Sequence, residues 1–267
     1  MMASYNAAKH FNMQERLGSI APGRVAHLNI LESKENPNPV SVIAKGKWLK
    51  RDNQEVNNVP EINWKKYGIK PLELDWDLHD SDMQFSSPLG MRMENDVIMK
   101  AYAVMLDTNV NELKRSQDES FLMLVDRKGK WRVNTIIKGF AERLGGLVSS
   151  YSTTGDIILI GKNKKDMQLA FNRMKELGGG IVLADKGEIV FELPLTLAGM
   201  MYDGSVNHLI EKDKILKEQL KKYGYRYSNP SYNLLFLSSL HLPFIRITPE
   251  GIVDVKRKQI LIPAIMR

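Results

Sequence analysis

The chain has 267 residues, of which 43% are hydrophobic and 26% are charged, and its formal net charge at pH 7 is +7. This is the composition of an ordinary globular protein, and the length allows one large or two smaller domains. The absence of cysteine excludes a disulfide, a thiolate zinc site and a cysteine nucleophile. No apolar run reaches the roughly 18 residues of a membrane helix, and the start lacks a secretory layout. We therefore expect a cytoplasmic protein with no membrane partner.

The positive charge permits a nucleic-acid partner. Basic residues cluster at 128–132, 162–165 and 256–258. Each cluster lies at a predicted turn or beside a predicted helix cap, and no nucleic-acid-binding motif accompanies it. The pattern therefore favours solvated turns over a nucleic-acid surface.

The first 50 residues predict the end of a helix followed by strands. Residues 1–10 are typical of a helix end, and Pro22 with Gly23 predicts a tight turn before a strand over 25–31. Two further strands are predicted over 40–44 and 48–50. So few strands are too little to fold alone.

Residues 51–90 are uneven in composition and include the acidic run 73–82. Its Asp, Glu and His side chains raise the possibility of a metal site, but a calcium loop needs a central glycine that this run lacks. The alternation of Leu74, Trp76 and Leu78 with polar residues instead favours an amphipathic strand. We interpret 51–90 as a linker.

Residues 91–267 predict a mixed domain of strands and helices. Asn163 provides an N-cap, and Asp166 three residues later resembles a capping box. A helix with one apolar face follows, and a second helix is predicted from Ser205 to about Tyr223. The predicted strands cover 97–106, 120–126, 131–137, 147–151, 156–161, 181–184, 188–193, 244–248 and 260–262, while 233–242 is compatible with helix or strand.

Three consecutive glycines, Gly178 to Gly180, separate the first of these helices from a predicted hairpin. A phosphate-binding loop would need the order strand, glycines, helix. Because the order here is helix, glycines, strand, the glycines are predicted to end the helix in left-handed conformations. The following segment, 195–201, is apolar and is predicted to be buried.

The first part of the chain resembles the close of an amidohydrolase barrel. In that superfamily the last barrel helix carries a Thr/Ser-x-Asn-x-Ala pattern and leads into Gly-x-Ile-x-x-Gly-x-x-Ala-Asp-Leu. The matching segments are Ala3-Ser-Tyr-Asn-Ala-Ala8 and Gly18-Ser-Ile-Ala-Pro-Gly-Arg24, although Ala26-His-Leu28 replaces Ala-Asp-Leu.

The second part resembles the C-terminal domain of the adenine deaminases. Several family motifs recur in order over about 170 residues. They are Lys138-Gly-Phe140, Asp166-Met167, Asn172-Arg173, Gly178–Gly180, Leu193-Pro-Leu-Thr-Leu-Ala-Gly-Met-Met-Tyr202, Leu237-Ser-Ser-Leu-His-Leu-Pro243 and Thr248-Pro-Glu-Gly-Ile-Val-Asp-Val255.

The resemblance implies an α+β fold class in three parts. Residues 1–50 would be the last barrel helix and part of the small β domain, 51–90 the linker, and 91–267 the adenine deaminase C-terminal α+β domain. In the complete protein it implies a metal-dependent aminohydrolase that converts adenine and water to hypoxanthine and ammonia, with Mn or Fe as cofactor. The expected partner is a purine substrate, and a homo-oligomer is left open.

The metal ligands of that family precede the last barrel helix, so we expect no catalytic residue and no metal site in this chain. Its histidines are isolated, without a His-x-His or His-x-x-x-His spacing. They are His10, His27, His79, His208 and His241. We therefore expect the chain to be inactive alone.

A family segment His-Asp-Ser-His-Asn aligns with Ser152-Thr-Thr-Gly-Asp156. Ser152, Thr153 and Asp156 are the candidate substrate-binding residues, because hydroxyls and a carboxylate can hydrogen-bond a purine edge. A polar loop without a ligand is the competing interpretation. For the whole chain, the alternative function is a non-catalytic protein of this family that binds a purine or a partner.

Overall fold

The computed structural model describes residues 2–57 and 61–267. Met1, at the start of the predicted helix end, and residues 58–60, inside the predicted linker, lie outside the described residues. The chain divides into two compact units, Met1–Asn63 and Trp64–Arg267. Within the described residues, no helix combines the length and apolar character that a membrane span requires.

The first unit is a short helical segment followed by a small antiparallel sheet. A π-helical turn, Met2–Asn6, runs into α1 (Ala7–His10). The strands of this unit are β1 (Leu28–Leu31), β2 (Pro39–Ala44), β3 (Lys47–Arg51) and β4 (Gln54–Glu55). They lie in chain order in one sheet, which confirms the three predicted strands with shifted ends and adds β4.

The second unit contains the longer helices and two sheets. Its helices are α2 (Lys164–Leu177), α3 (Val206–Lys222) and α4 (Pro230–Phe236). Its strands are β5 (Leu89–Met93), β6 (Met99–Ala103), β7 (Glu119–Val125), β8 (Trp131–Lys138), β9 (Gly146–Ser149), β10 (Ile157–Gly161), β11 (Gly180–Asp185), β12 (Glu188–Pro194), β13 (Ile245–Thr248), β14 (Gly251–Asp254), β15 (Gln259–Pro263) and β16 (Ile265–Met266).

The larger sheet has the order β12-β11-β9-β10-β7-β8-β5-β6, with β16 also paired to β8, and the smaller sheet has the order β13-β14-β15. The β5–β8 pair is parallel, and the other strand pairs are antiparallel. Helices and strands are therefore mixed as the α+β class predicts. The barrel part of that prediction is not confirmed by the structure.

The central strands of the larger sheet are almost wholly apolar, so both faces of the sheet must be covered by other elements. One face packs against α2 and the segment 72–85. The other packs against α3, α4 and the smaller sheet. In strand β7, successive side chains point to opposite faces of the sheet. Phe121 lies in the hydrophobic cluster on the α2 side, Leu122 lies in the cluster on the other side, and both are buried.

The caps of α2 follow from local sequence. The Asn163 side chain accepts hydrogen bonds from the Lys165 and Asp166 amides, at 2.9 and 3.2 Å, and Gly178 ends the helix with φ +73°. Both predictions are confirmed. The predicted capping box is wrong, because the Asp166 carboxylate instead accepts from the Lys186 and Gly187 amides in the β11–β12 turn.

The segment 73–82 does not form the predicted strand. Leu74 and Leu78 are buried in the α2-side cluster, but the segment pairs with no strand, and only Asp80–Asp82 forms a turn of 3₁₀ helix. Alternate burial is therefore real, while the strand is absent. The boundary between the two units falls inside the interval 51–90, at Asn63 and Trp64, and Leu74, Leu78, Met83 and Phe85 in its second half are buried.

The basic cluster 162–165 is not a uniformly solvated turn. Lys162 is fully buried, and its Nζ donates to the carbonyl oxygens of Gln117, at 2.7 Å, and Glu119. Burial lowers the pKa of Lys162 to about 8, although the charges of Glu119 and Asp118 oppose this shift.

This buried amine predicts a pH-dependent stability. The folded state releases the Lys162 proton near pH 8, whereas the unfolded state holds it up to about pH 10.4. Because the unfolded state binds more protons between these values, the free energy of unfolding should rise by roughly 2 kcal/mol from pH 8 to 10. Urea denaturation should show this rise in the wild type and not in Lys162→Met. An equal rise in both proteins would contradict the assignment.

Candidate functional site

The candidate residues Ser152, Thr153 and Asp156 lie in the turn between β9 and β10. The Ser152 hydroxyl donates to the Asp156 carbonyl oxygen at 2.7 Å, and the Thr153 hydroxyl is 3.0 Å from that of Ser238. The Thr153 amide also donates to the Leu235 carbonyl in α4. The turn is therefore held by internal hydrogen bonds and is anchored to α4.

The carboxylate of Asp156 is buried, with 6% of the residue exposed. Burial raises its pKa, and the charge of Asp126 adds to this rise. Hydrogen bonds from the Thr154 side chain and the Arg127 amide partly offset it. The structure thus brings Ser152 and Asp156 together in the interior, while Thr153 turns toward α4. Direct contact of these three side chains with a purine stays a prediction.

The histidines lie apart from one another. His208 Nδ1 is 2.5 Å from the Tyr202 hydroxyl, His241 Nδ1 is 2.5 Å from the Ser239 hydroxyl, and His27 Nδ1 accepts from the Lys45 amide at 3.3 Å. Across residues 2–57 and 61–267, no group of three His, Asp or Glu side chains is placed to hold a metal ion. The described donor set therefore does not fit the metal centre that the family resemblance implies.

A cleft opens next to the candidate turn, between α3 and the β11–β12 end of the larger sheet. Its volume is about 690 Å³, and Tyr151, directly before Ser152, lines it. The floor is formed by buried Ile181, Leu193 and Leu195. A cleft of this size with an apolar lining is typical of small-molecule sites.

The wall and rim of the cleft come from the motif at 193–202 and from α3. Tyr202 belongs to that motif, and Asp213 and Lys214 belong to α3. This cleft was not predicted from the sequence. The available signal was the apolar stripe of α3, because Val206 and Ile210 belong to it but remain exposed.

The second unit combines a mixed α/β architecture with the ordered motifs that resemble the adenine deaminase C-terminal domain. Residues 97–259 match the family profile of the adenine deaminase C-terminal domain, and residues 1–49 match that of the amidohydrolase family. The first match covers more than half of the chain. The chain therefore belongs to the adenine deaminase family.

Individual relatives agree with this assignment. The chain is 53% identical over 266 residues to a protein of Oceanobacillus iheyensis, and 51% identical over 266 residues to one of Bacillus subtilis; both are named "Putative adenine deaminase". It is 29% identical over 270 residues to a protein of Mesorhizobium japonicum named "Adenine deaminase". These alignments cover 100%, 100% and 95% of this chain but only 46%, 46% and 44% of the relatives. The chain thus spans less than half the length of the curated relatives it matches.

Proposed function

We propose that this chain forms the C-terminal portion of a metal-dependent adenine deaminase, which hydrolyses adenine to hypoxanthine and ammonia. The observation that carries the proposal is the match to the adenine deaminase C-terminal domain over 97–259, together with named relatives that align over the whole chain. The proposal includes a cytoplasmic location and a role in purine metabolism.

We assign a separate structural role to each part of the chain on the basis of the two regions that match family profiles. Residues 1–50 would supply the last helix of an amidohydrolase barrel and part of the small β domain, 51–90 would connect, and 91–267 would form the C-terminal domain. In support, Met2, Phe11 and Ile20 are 85%, 71% and 86% exposed in the region that matches the amidohydrolase family. Such exposed apolar side chains are expected where another layer of protein covers them.

The chemistry requires a group that this chain's described residues do not supply. A bound divalent metal, which we propose to be manganese or iron, lowers the pKa of a water molecule enough to provide hydroxide at neutral pH. We propose that its ligands belong to the part of the family protein that precedes the amidohydrolase match in this chain.

Ser152, Thr153 and Asp156 remain the proposed substrate-side residues of the C-terminal domain. Their hydrogen bonds within the turn and to α4 support a positioning role, because they hold the backbone that places Tyr151 at the cleft. The hydrogen bond between the Thr153 and Ser238 hydroxyls also supports this positioning role.

The test is reconstitution of the complete protein. The portion of the Oceanobacillus iheyensis relative that does not align with this chain would be joined to residues 2–267, and ammonia release from adenine would be measured with Mn²⁺ or Fe²⁺. We expect activity from the fusion and none from the isolated chain. A matched fusion that lacks 97–259 should lose the activity.

Two results would overturn the proposal. One is a folded, metal-loaded fusion that does not deaminate adenine under conditions where the intact relative does. The other is turnover by the isolated, purified chain, which would place the reacting groups within it.

A further inference from the structure

The cleft beside α3 is large enough to hold a small molecule. Its volume of about 690 Å³ lies within the range of roughly 300–1,000 Å³ that ligand pockets span. Met201 and Ile210 stand at its mouth, 50% and 47% exposed. A concave, mostly apolar surface with a few polar groups at its edge is typical of small-molecule sites. Methionine suits such a mouth, because its side chain adapts to what it contacts.

Two tyrosines give the cleft an aromatic character. Tyr151 and Tyr202 both line it, and the Tyr202 ring is fixed by the hydrogen bond of its hydroxyl to His208 and by an edge-on ring contact, with centroids 5.6 Å apart. Aromatic side chains on an apolar surface bind flat heterocyclic bases by stacking, with little dependence on which base is present.

The charged side chains at the rim of the cleft do not fully balance one another. The Asp213 carboxylate accepts from the Ser231 hydroxyl at 2.7 Å and is paired with Lys217 at 2.6 Å, so these charges balance. Lys214, the next residue on α3, also lines the cleft, and it forms no ion pair within the part of the chain that the structure describes. The rim therefore carries one uncompensated positive charge beside a carboxylate.

We infer that the cleft binds a nucleoside monophosphate. The base lies on the apolar floor between the tyrosines, a ribose hydroxyl donates to Asp213, and the phosphate pairs with Lys214 through a charge-assisted hydrogen bond. This inference does not depend on the metal-dependent reaction, and it holds whether or not the reconstituted protein deaminates adenine.

The test is calorimetric titration of the 267-residue chain with adenosine 5′-monophosphate and with adenosine. We expect saturable binding of one monophosphate per chain, and at least tenfold weaker binding of adenosine, which lacks the phosphate. Absence of monophosphate binding at millimolar concentration would overturn the inference, even if the fusion protein is active.

Two matched pairs of variants locate the site. Ile210→Trp fills the mouth of the cleft and should weaken monophosphate binding at least tenfold, whereas Ile215→Trp adds the same ring at a similarly exposed position of α3 outside the cleft and should not. Lys214→Gln should bind the monophosphate no better than adenosine, whereas Lys221→Gln should behave as wild type. Thermal unfolding of each variant establishes that it is folded.

The variants also define the contrary results. Unchanged binding in Ile210→Trp would exclude the cleft as the site. A tenfold preference for the monophosphate that persists in Lys214→Gln would exclude the proposed phosphate contact.

Discussion

Gly180→Ala is expected to lower the free energy of unfolding by about 3 kcal/mol, because the added methyl group has no space. A Cβ at Gly180 would lie 2.2 Å from the Leu193 carbonyl oxygen in the neighbouring strand, and φ is +143°. Gly180 also exchanges hydrogen bonds with Ser150, since its amide donates to the Ser150 hydroxyl and its carbonyl accepts from the Ser150 amide. Strand β11 is therefore held on both sides at this point, and the added methyl group would force it to separate locally from β12. Chemical denaturation measures the loss.

Gly187→Ala is the matched control within the same hairpin. Its φ is +81°, but no atom lies within 4 Å of an added Cβ. Only the left-handed conformation is then penalised, at about 1 kcal/mol. Equal losses in the two variants would show that backbone strain, rather than the close approach of β11 and β12, requires glycine at position 180.

Local structure could be predicted from the sequence where a few neighbouring residues determine it. Asn163 and Gly178 bound α2 as expected because each acts on backbone groups within one turn. The apolar face of α2 was likewise predictable, since Met167 and Phe171 recur at helical spacing and are both buried.

Structure that depends on distant partners could not be predicted. The alternation of Leu74, Trp76 and Leu78 reports which side chains face the core, but an unpaired segment lying on a sheet gives the same pattern as a strand. The sequence around Lys162 indicates a basic turn, because the carbonyl groups that the Lys162 amine contacts are 43 and 45 residues away. The Asp166 carboxylate does not cap its own helix but accepts a hydrogen bond from the Lys186 amide, 20 residues later in a hairpin turn.

In the candidate site, the resemblance to family motifs points to Ser152 and Asp156. The Ser152 hydroxyl bonds within its own turn, whereas the Asp156 carboxylate accepts from the Thr154 side chain and from the Arg127 amide outside the turn. The cleft is assembled from Tyr151 after β9, from β11, β12, the segment 195–204 and α3, and from Ser231 of α4. Its existence depends on how far α3 stands from the sheet, and no local pattern encodes that distance.

The last prediction concerns a buried ion pair that joins two distant segments. Arg267 donates to both carboxylate oxygens of Asp82, at 2.8 and 2.7 Å, and the two side chains are only 12% and 8% exposed. The guanidinium also lies 4.4 Å from the centre of the Trp76 ring. Arg132 is a second cation, 3.6 Å from Asp82. Removing Arg267 leaves the buried Asp82 carboxylate with only the His79 amide, at 2.9 Å, and the longer ion pair to Arg132.

Arg267→Met is therefore expected to lower the free energy of unfolding at pH 7 by about 3 kcal/mol. Arg257→Met is the control, because the Arg257 ion pair with Asp254 is exposed and its loss should cost less than about 1 kcal/mol. Similar losses in the two variants would contradict a structural role for the buried pair.

The same pair predicts how the difference depends on pH. Burial alone would raise the pKa of Asp82, but the hydrogen bonds from Arg267 and the His79 amide outweigh it, and the pKa lies below its ordinary value of 3.8. A carboxyl whose folded-state pKa is lowered stabilises the fold above its unfolded pKa and loses this contribution as pH falls through the folded value. Urea titrations should therefore show the gap between wild type and Arg267→Met narrowing below pH 4. A gap that stays constant down to pH 2 would mean that Arg267 stabilises the fold by packing on Trp76 rather than by its charge.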